Sequence, residues 1–228
     1  NGILRPQSGD LFFQGQAVSP KYAKKQVMEL RQNVGIVFQE ADNQIIASTV
    51  ESEVSFGPLN LGLPLAEVQQ QVDNALADMN LLAYRDRAPQ NLSGGEKKRV
   101  SIADILAMHP QIILLDEPTA SLDPQNTILL EQTLNQLSQA GITLLVSTHD
   151  IDFACRFAER AVVFSTGEII ADGPVSEVLN DDQIIAQAGL RKPLLFEAAS
   201  LLTNALGRPA AAPRSLAEFA EMLKNTKK

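Results

Sequence analysis

Apolar residues along this chain follow two kinds of spacing. Apolar runs occupy residues 34–38, 112–115 and, with Thr143 as the one polar member, 142–146, which is the pattern of short strands buried on both faces of a parallel sheet. Between them, apolar positions recur every three or four residues at Val68, Val72, Leu76 and Met79, and again at Leu130, Leu134 and Leu137. That is the stripe of a helix with one buried face. Asp123-Pro124 opens the second stripe as an N-cap followed by a helix-compatible proline, and Gly141 closes it. Strands alternating with helices predict an α/β fold.

The weaker elements fit around this frame. Residues 1–8 read as a helix end and a turn, residues 10–14 as a short strand, and the polar stretch through Ser19, Pro20, Lys24 and Lys25 as a connection. In residues 43–63, Gly57, Pro58, Gly62 and Pro64 are expected to end any helix quickly. Residues 49–107 as a whole read as a helical insertion, because strands flank the stretch and none lies inside it. Residues 161–165 and 168–171 form a hairpin about Thr166-Gly167, and Gly173-Pro174 opens a helix through Val178. The tail is helical in pieces, IIAQAG, LLFEAASLLTNALG and a capped start at Ser215 to Glu218, with RPAAAPR as a linker.

The stretch from Leu92 to Asp123 carries the candidate chemistry. Ser93 to Glu96 is an S-x-x-E capping box, and Gly94 and Gly95 clear side chains from a helix start, where backbone N–H groups favour an anion. The run 112–115 delivers Asp116 and Glu117 at the C-terminal end of a strand, the edge where open α/β sheets bind ligands. One carboxylate there suits a hydrated magnesium ion and the other suits polarising a water. His149 follows the strand of residues 142–146, where it could hydrogen-bond a developing phosphate charge. His109, in an MHP turn, reads as solvated.

Composition narrows the classes. Hydrophobic residues make up 45% of the 228 and charged residues only 20%, which is globular. A net charge of −8 argues against a nucleic-acid partner, whose backbone needs a concentrated basic surface. The single Cys155 fits a reducing compartment and reads as a small buried apolar residue. No run is apolar enough to span a bilayer and no secretory leader opens the sequence, so a cytoplasmic protein, or one docked on a membrane through a partner, is expected.

In order, LSGGE, IILLDEP, SLDP and STHD resemble the signature, Walker B, D-loop and switch histidine of the nucleotide-binding subunits of ABC transporters. The resemblance implies a RecA-like P-loop NTPase core over 1–180, with a helical subdomain at about 49–107 and an accessory helical region over 181–228. It implies ATP and Mg2+ as cofactors. Glu117, His149 and Gln39, the last resembling the Q-loop glutamine, would be catalytic. Ser93, Gly94, Gly95, Glu96 and Asp123 would bind nucleotide, and Asp116 with Gln39 would hold magnesium, largely through water. VESEVSFGPLNLGLP is similar to the energy-coupling-factor branch, and the stretch from Phe157 to Pro193 is similar to cobalt-transport ATPases.

That branch implies a second ATPase subunit, identical or not, a transmembrane coupling subunit and a substrate-binding membrane subunit, on the cytoplasmic face of the cell membrane. Cobalt or nickel would be the cargo. Two histidines and one cysteine make no metal cage, so the ion would be chosen in a membrane partner. No G-x-x-x-x-G-K-[ST] occurs in the sequence. The expectation is an N-terminally truncated copy, its P-loop strand missing and its ATP binding impaired. The alternative is a non-catalytic module that offers its signature to an intact partner ATPase. An ABC ATPase of DNA repair or translation is disfavoured by the acidic balance and the lack of a long heptad run.

Overall fold

The computed structural model describes residues 7–18, 24–206 and 212–225. The expectations for residues 1–6 and most of the 208–214 linker lie outside them. The chain divides into two compact units, Asn1–Ser147 and Thr148–Lys228.

In the first unit β3 (Val34–Val37), β4 (Ile112–Asp116) and β5 (Thr143–Ser147) form a parallel sheet with β4 in the middle. The register sets Val37 opposite Leu115 and Asp116 opposite Ser147, so the C-terminal ends of the strands lie together. The expectation that residues 142–146 are buried is corrected. No residue of β5 is buried and Leu145 is 53% exposed, because an apolar run shows only that a strand could be covered, not that both of its faces are. Preceding the sheet, β1 (Phe12–Phe13) pairs with β2 (Gln16–Ala17). The single strand expected at 10–14 is therefore half of a hairpin, turned by Gln14 and Gly15 at φ of 50° and 74°.

Residues 24–33, expected as connection, form α1 (Lys24–Asn33). Its apolar positions are too few to stand out among charged neighbours. The second correction is α2 (Val50–Asn60), which runs through Gly57 and Pro58. Both are buried, and a Cβ on Gly57 would meet Met108 Cγ at 2.7 Å, so packing overrides local propensity here. Thr49 caps this helix by accepting from Ser52 N. Helix α3 (Leu65–Asp78) buries Val68, Val72 and Leu76, with Met79 just beyond it, on the predicted stripe. Arg85 joins the pair by donating to Glu51 of α2 at 3.1 Å and to Asp73 of α3.

Helix α4 (Gly94–Leu106) connects this helical layer to the sheet. It lies so close to β3 that a Cβ on Gly35 would overlap Ile105 Cγ2. Two carboxylates are enclosed in the layer. Glu53 Oε2 accepts from Ile46 N at 2.9 Å and Ala47 N at 2.6 Å. Asp104 accepts from Gln44 Nε2 at 3.4 Å. Burial first, and the Glu53 charge second, push the Asp104 carboxyl up to about 7. Beyond β4, α5 (Pro124–Gln139) buries Leu130, Leu134 and Leu137 and ends ahead of Gly141 at φ 93°.

The second unit holds α6 (Ile151–Phe157), the predicted hairpin β6 (Arg160–Ser165) and β7 (Glu168–Pro174), and α7 (Val175–Val178), α8 (Asp182–Ala188), α9 (Leu194–Leu206) and α10 (Leu216–Asn225). Thr166 and Gly167 turn the hairpin at φ of 48° and 83°. Cys155 is buried in a core with Val163, Val178, Ile185 and Phe196, as its composition-based reading expected. Arg214 finishes α6 by donating to the carbonyls of Cys155 and Ala158.

Two outcomes test this packing. Gly35→Ala forces α4 off β3 and should destabilise the chain by about 2 kcal/mol or more, read from the urea midpoint. For Asp104 the folded-state pKa lies above the ordinary 3.8. Its stabilising share is complete below about pH 4 and is lost as the pH rises through about 7. Asp104→Asn should therefore be more stable than the parent at pH 8, by at most roughly 4 kcal/mol. The gain should shrink to nothing near pH 4 in denaturation measured across that range.

Candidate functional site

The sheet's C-terminal edge is where polar side chains replace apolar ones. Asp116 is the last residue of the central strand, exposed, and its Oδ1 accepts from Ser147 Oγ at 2.5 Å. Glu117 keeps the ladder for one more step, its N–H donating to Ser147 O at 2.9 Å, while its own φ is 42°. A non-glycine residue in the left-handed region is strained. The turn there stops the strand and aims two consecutive carboxylates differently. Gln39 lies two residues past the end of β3, exposed, on the flank of β4 opposite to Ser147.

A second group surrounds the start of α4. Ser93 Oγ accepts from Glu96 N, while Glu96 Oε2 accepts from Ser93 N at 2.7 Å and Ser93 Oγ at 2.8 Å, so the capping box predicted from S-x-x-E is complete. These bonds, led by the one from the Ser93 backbone, hold the Glu96 carboxyl below its usual range. Glu96 is thereby committed to the cap. The two glycines differ. A Cβ on Gly94 would meet nothing within 4 Å, whereas one on Gly95 would meet Asn126 Cγ and Oδ1 at 2.5 Å. Asp123, the N-cap of α5, accepts from Asn126 N at 2.9 Å and Asn126 Nδ2 at 2.6 Å. Those bonds hold its carboxyl below the ordinary value. Helices α4 and α5 thus begin side by side, in contact through Gly95 and Asn126.

Lys98, which sequence reasoning passed over as one of many scattered lysines, links the groups. It is 3% exposed, and its Nζ donates to Phe38 O at 2.9 Å and Gln39 O at 2.6 Å. Burial pushes this ammonium down and the Asp116 carboxylate pulls it back up. The signal that could have found it was position, since Lys98, Ser101 and Ile105 share one face of α4, a buried stripe on which a lysine needs a reason. Ser147 and Asn126 had no comparable signal.

His149 belongs to the second unit, two residues after Ser147. It is exposed. Beside it Thr148 Oγ1 accepts from Asp150 N at 3.0 Å, and Asp150 caps α6 by accepting from Phe153 N at 2.9 Å. The first unit brings together Gln39, Asp116 and Glu117 along one edge, and Ser93 to Glu96 with Asp123 at paired helix starts.

Asp116, Glu117 and Gln39 each offer a side-chain oxygen at the sheet edge. Among the described residues no group of three or more His, Cys, Asp or Glu is arranged to cage a metal. An exposed carboxylate and an amide oxygen fit magnesium instead, which keeps most of its water and takes one or two protein oxygens.

The family described as ABC transporter matches residues 1–120. The chain is 47% identical over 193 residues to an energy-coupling factor transporter ATP-binding protein, EcfA, of Methanothermobacter thermautotrophicus, covering 85% of the chain and 61% of that relative's length. It is 46% identical over 209 residues to the cobalt import ATP-binding protein CbiO of Rhodobacter capsulatus, covering 92% of the chain and 73% of that protein. Among solved structures, CbiO1 of Clostridium perfringens, part of the ABC transporter complex CbiONQ, superposes with a TM-score of 0.72 at 39% identity, over 83% of this chain and 75% of that one. The ATP-binding cassette MJ0796, a dimer in a post-hydrolysis state bound to ADP and Pi, superposes with a TM-score of 0.66 at 28% identity, over 76% of each chain. With a parallel sheet carrying paired carboxylates on its central strand and a capped S-G-G helix start beside it, this chain has the P-loop NTPase fold and belongs to the ABC transporter family, as an ABC ATPase.

Proposed function

We propose that these residues hydrolyse ATP to drive an energy-coupling-factor importer, with cobalt or nickel ions as cargo. The observation that carries the reading is the pairing of Asp116 and Glu117 at the end of the central strand, with Gln39 on one flank and Ser147 on the other. The relatives named for energy coupling and cobalt import support the transport part. Magnesium, when bound, supplies positive charge against the phosphates. Asp116 and Gln39 hold its water shell, Glu117 accepts the proton of the attacking water, and His149 donates a hydrogen bond to charge developing on the transferred phosphoryl group. Ser93, Gly94 and Gly95 present a helix start to the nucleotide of an opposing ATPase subunit, with Asp123 bordering the same junction. Glu96 contributes by holding that start in shape.

No helix among the described residues is long and apolar enough to cross a membrane. In this reading the protein works against a membrane through a coupling subunit, with a further membrane subunit choosing the ion. The 228 residues contain no G-x-x-x-x-G-K-[ST]. In this reading residues 1–228 alone, without the amides of that motif to cradle the β- and γ-phosphates, hold nucleotide weakly. The same observation favours a second reading, in which these residues only present their signature to an intact partner ATPase.

Glu117→Gln separates the two readings. In the assembled ATPase with its membrane partners it should lower steady-state phosphate release by about a hundredfold or more while ATP binding is kept. Turnover near the parent rate would reject Glu117 as the base. Ser93→Arg should abolish ATP-driven pairing of the subunits, scored by light scattering, and change ATP affinity of the unpaired subunit by less than about threefold. Pairing that survives would reduce Ser93 to a helix cap.

A further inference from the structure

Every side chain given a chemical role above is exposed or half-buried. That of Lys98 is buried. Its buried ammonium is directed into protein, toward the backbone that leads out of β3. A lysine meant for a phosphate would point the other way, since an ammonium serves phosphate as an accessible point charge. We propose that Lys98 is a positioning residue. By holding the carbonyls of Phe38 and Gln39 against α4, it makes Gln39 and the Ser93 to Gly95 start of the same helix shift as one body. The proposal rests on the reading of Gln39 and Ser93 as residues that face nucleotide.

Neighbouring bonds show how complete the attachment is. Phe38 N donates to Gln44 Oε1 at 3.2 Å, and Gln44 Nε2 donates to Ser101 O at 3.1 Å, one turn beyond Lys98. Residue 38 is thus tied to α4 through both its N–H and its carbonyl. Lys97 reaches Asp42 at 2.6 Å, and Glu53 holds Ile46 and Ala47 at the far end of the loop. Of these, Lys98 alone touches the Gln39 backbone. Removing its charge leaves two carbonyls that had accepted charge-assisted bonds without them, so the loop next to Gln39 loosens first. Opening energies differ between parts of one fold, so such loosening is measurable as a local event.

The test uses the assembled ATPase with Lys98→Met, Lys98→Gln and Lys98→Arg. Lys98→Met should lower kcat about tenfold or more and move KM for magnesium-ATP by less than about threefold. Hydrogen exchange of residues 39–45 should quicken by about tenfold or more while α5 is unchanged. Lys98→Arg, which keeps the charge and donors, should return both readings to within about threefold of the parent. Lys98→Gln keeps a single uncharged donor group, should fall between them, and replaces the methionine variant should that one fail to fold. The proposal is overturned if kcat and loop exchange stay at the parent level, or if exchange quickens equally in the loop and α5, which is a general loss of stability. Glu117→Gln, run alongside, keeps the two ideas apart. An inactive Glu117→Gln beside an unimpaired Lys98→Met sinks only the positioning role, while an active Glu117→Gln sinks the site itself, and the exchange measurement still decides whether Lys98 holds the loop.

Discussion

The close seating of α4 on β3 is the constraint from which the rest of the first unit follows. Gly35 has no side chain, so Ile105 can lie directly against the strand backbone. Only at that separation can a lysine stem from α4 deliver its ammonium to the carbonyls beyond Val37. The same helix carries Val100, Ile102 and Ala103 into the layer formed with α2 and α3, and begins at the capped Ser93. One helix therefore fixes a strand end, a loop and an anion-favouring terminus relative to one another. A half-ångström retreat of α4 would weaken all of them together, because packed interfaces are poorly compressible.

Polar groups in this arrangement are expensive to enclose and are matched accordingly. Glu53 satisfies two amides of the loop, and Lys98 satisfies two carbonyls. Asp104 is the less settled member, since its raised pKa shows that burial is only partly offset by Gln44. The edge carboxylates Asp116 and Glu117 sit in a wetter place, where opening to solvent is what a hydrolytic site needs.

The parallel sheet, the stripe at Val68, Val72, Leu76 and Met79, the cap at Ser93 and the β6–β7 turn could all be read from the chain, because each rests on spacing or on local backbone chemistry. Misreadings had equally physical causes. Gly57 and Pro58 look like helix breakers until Met108 packs on the first of them, which no local rule contains. Residues 142–146 looked buried because apolar runs do not report whether anything covers them. α1 hid in a charged segment. The strand end at Asp116 and the cap at Ser93 were legible from local pattern, whereas Ser147 and Asn126 act through partners distant in sequence, and Lys98 does so at a separation of about sixty residues.

The contact between Gly95 and Asn126 constrains how this protein could change. Any side chain at position 95 would collide with Asn126 Cγ and Oδ1, and Asn126 is the partner that fills the Asp123 cap of α5. A lineage enlarging residue 95 first would have to swing the Asn126 side chain away and lose its bond to Asp123. One that first shortened residue 126 would lose a side-chain bond to Asp123 but leave the backbone bond of the cap in place. The two positions are therefore coupled through one side chain, and a change at either is felt first as the loss of the Asn126 side-chain bond to Asp123 while the backbone bond of the cap remains.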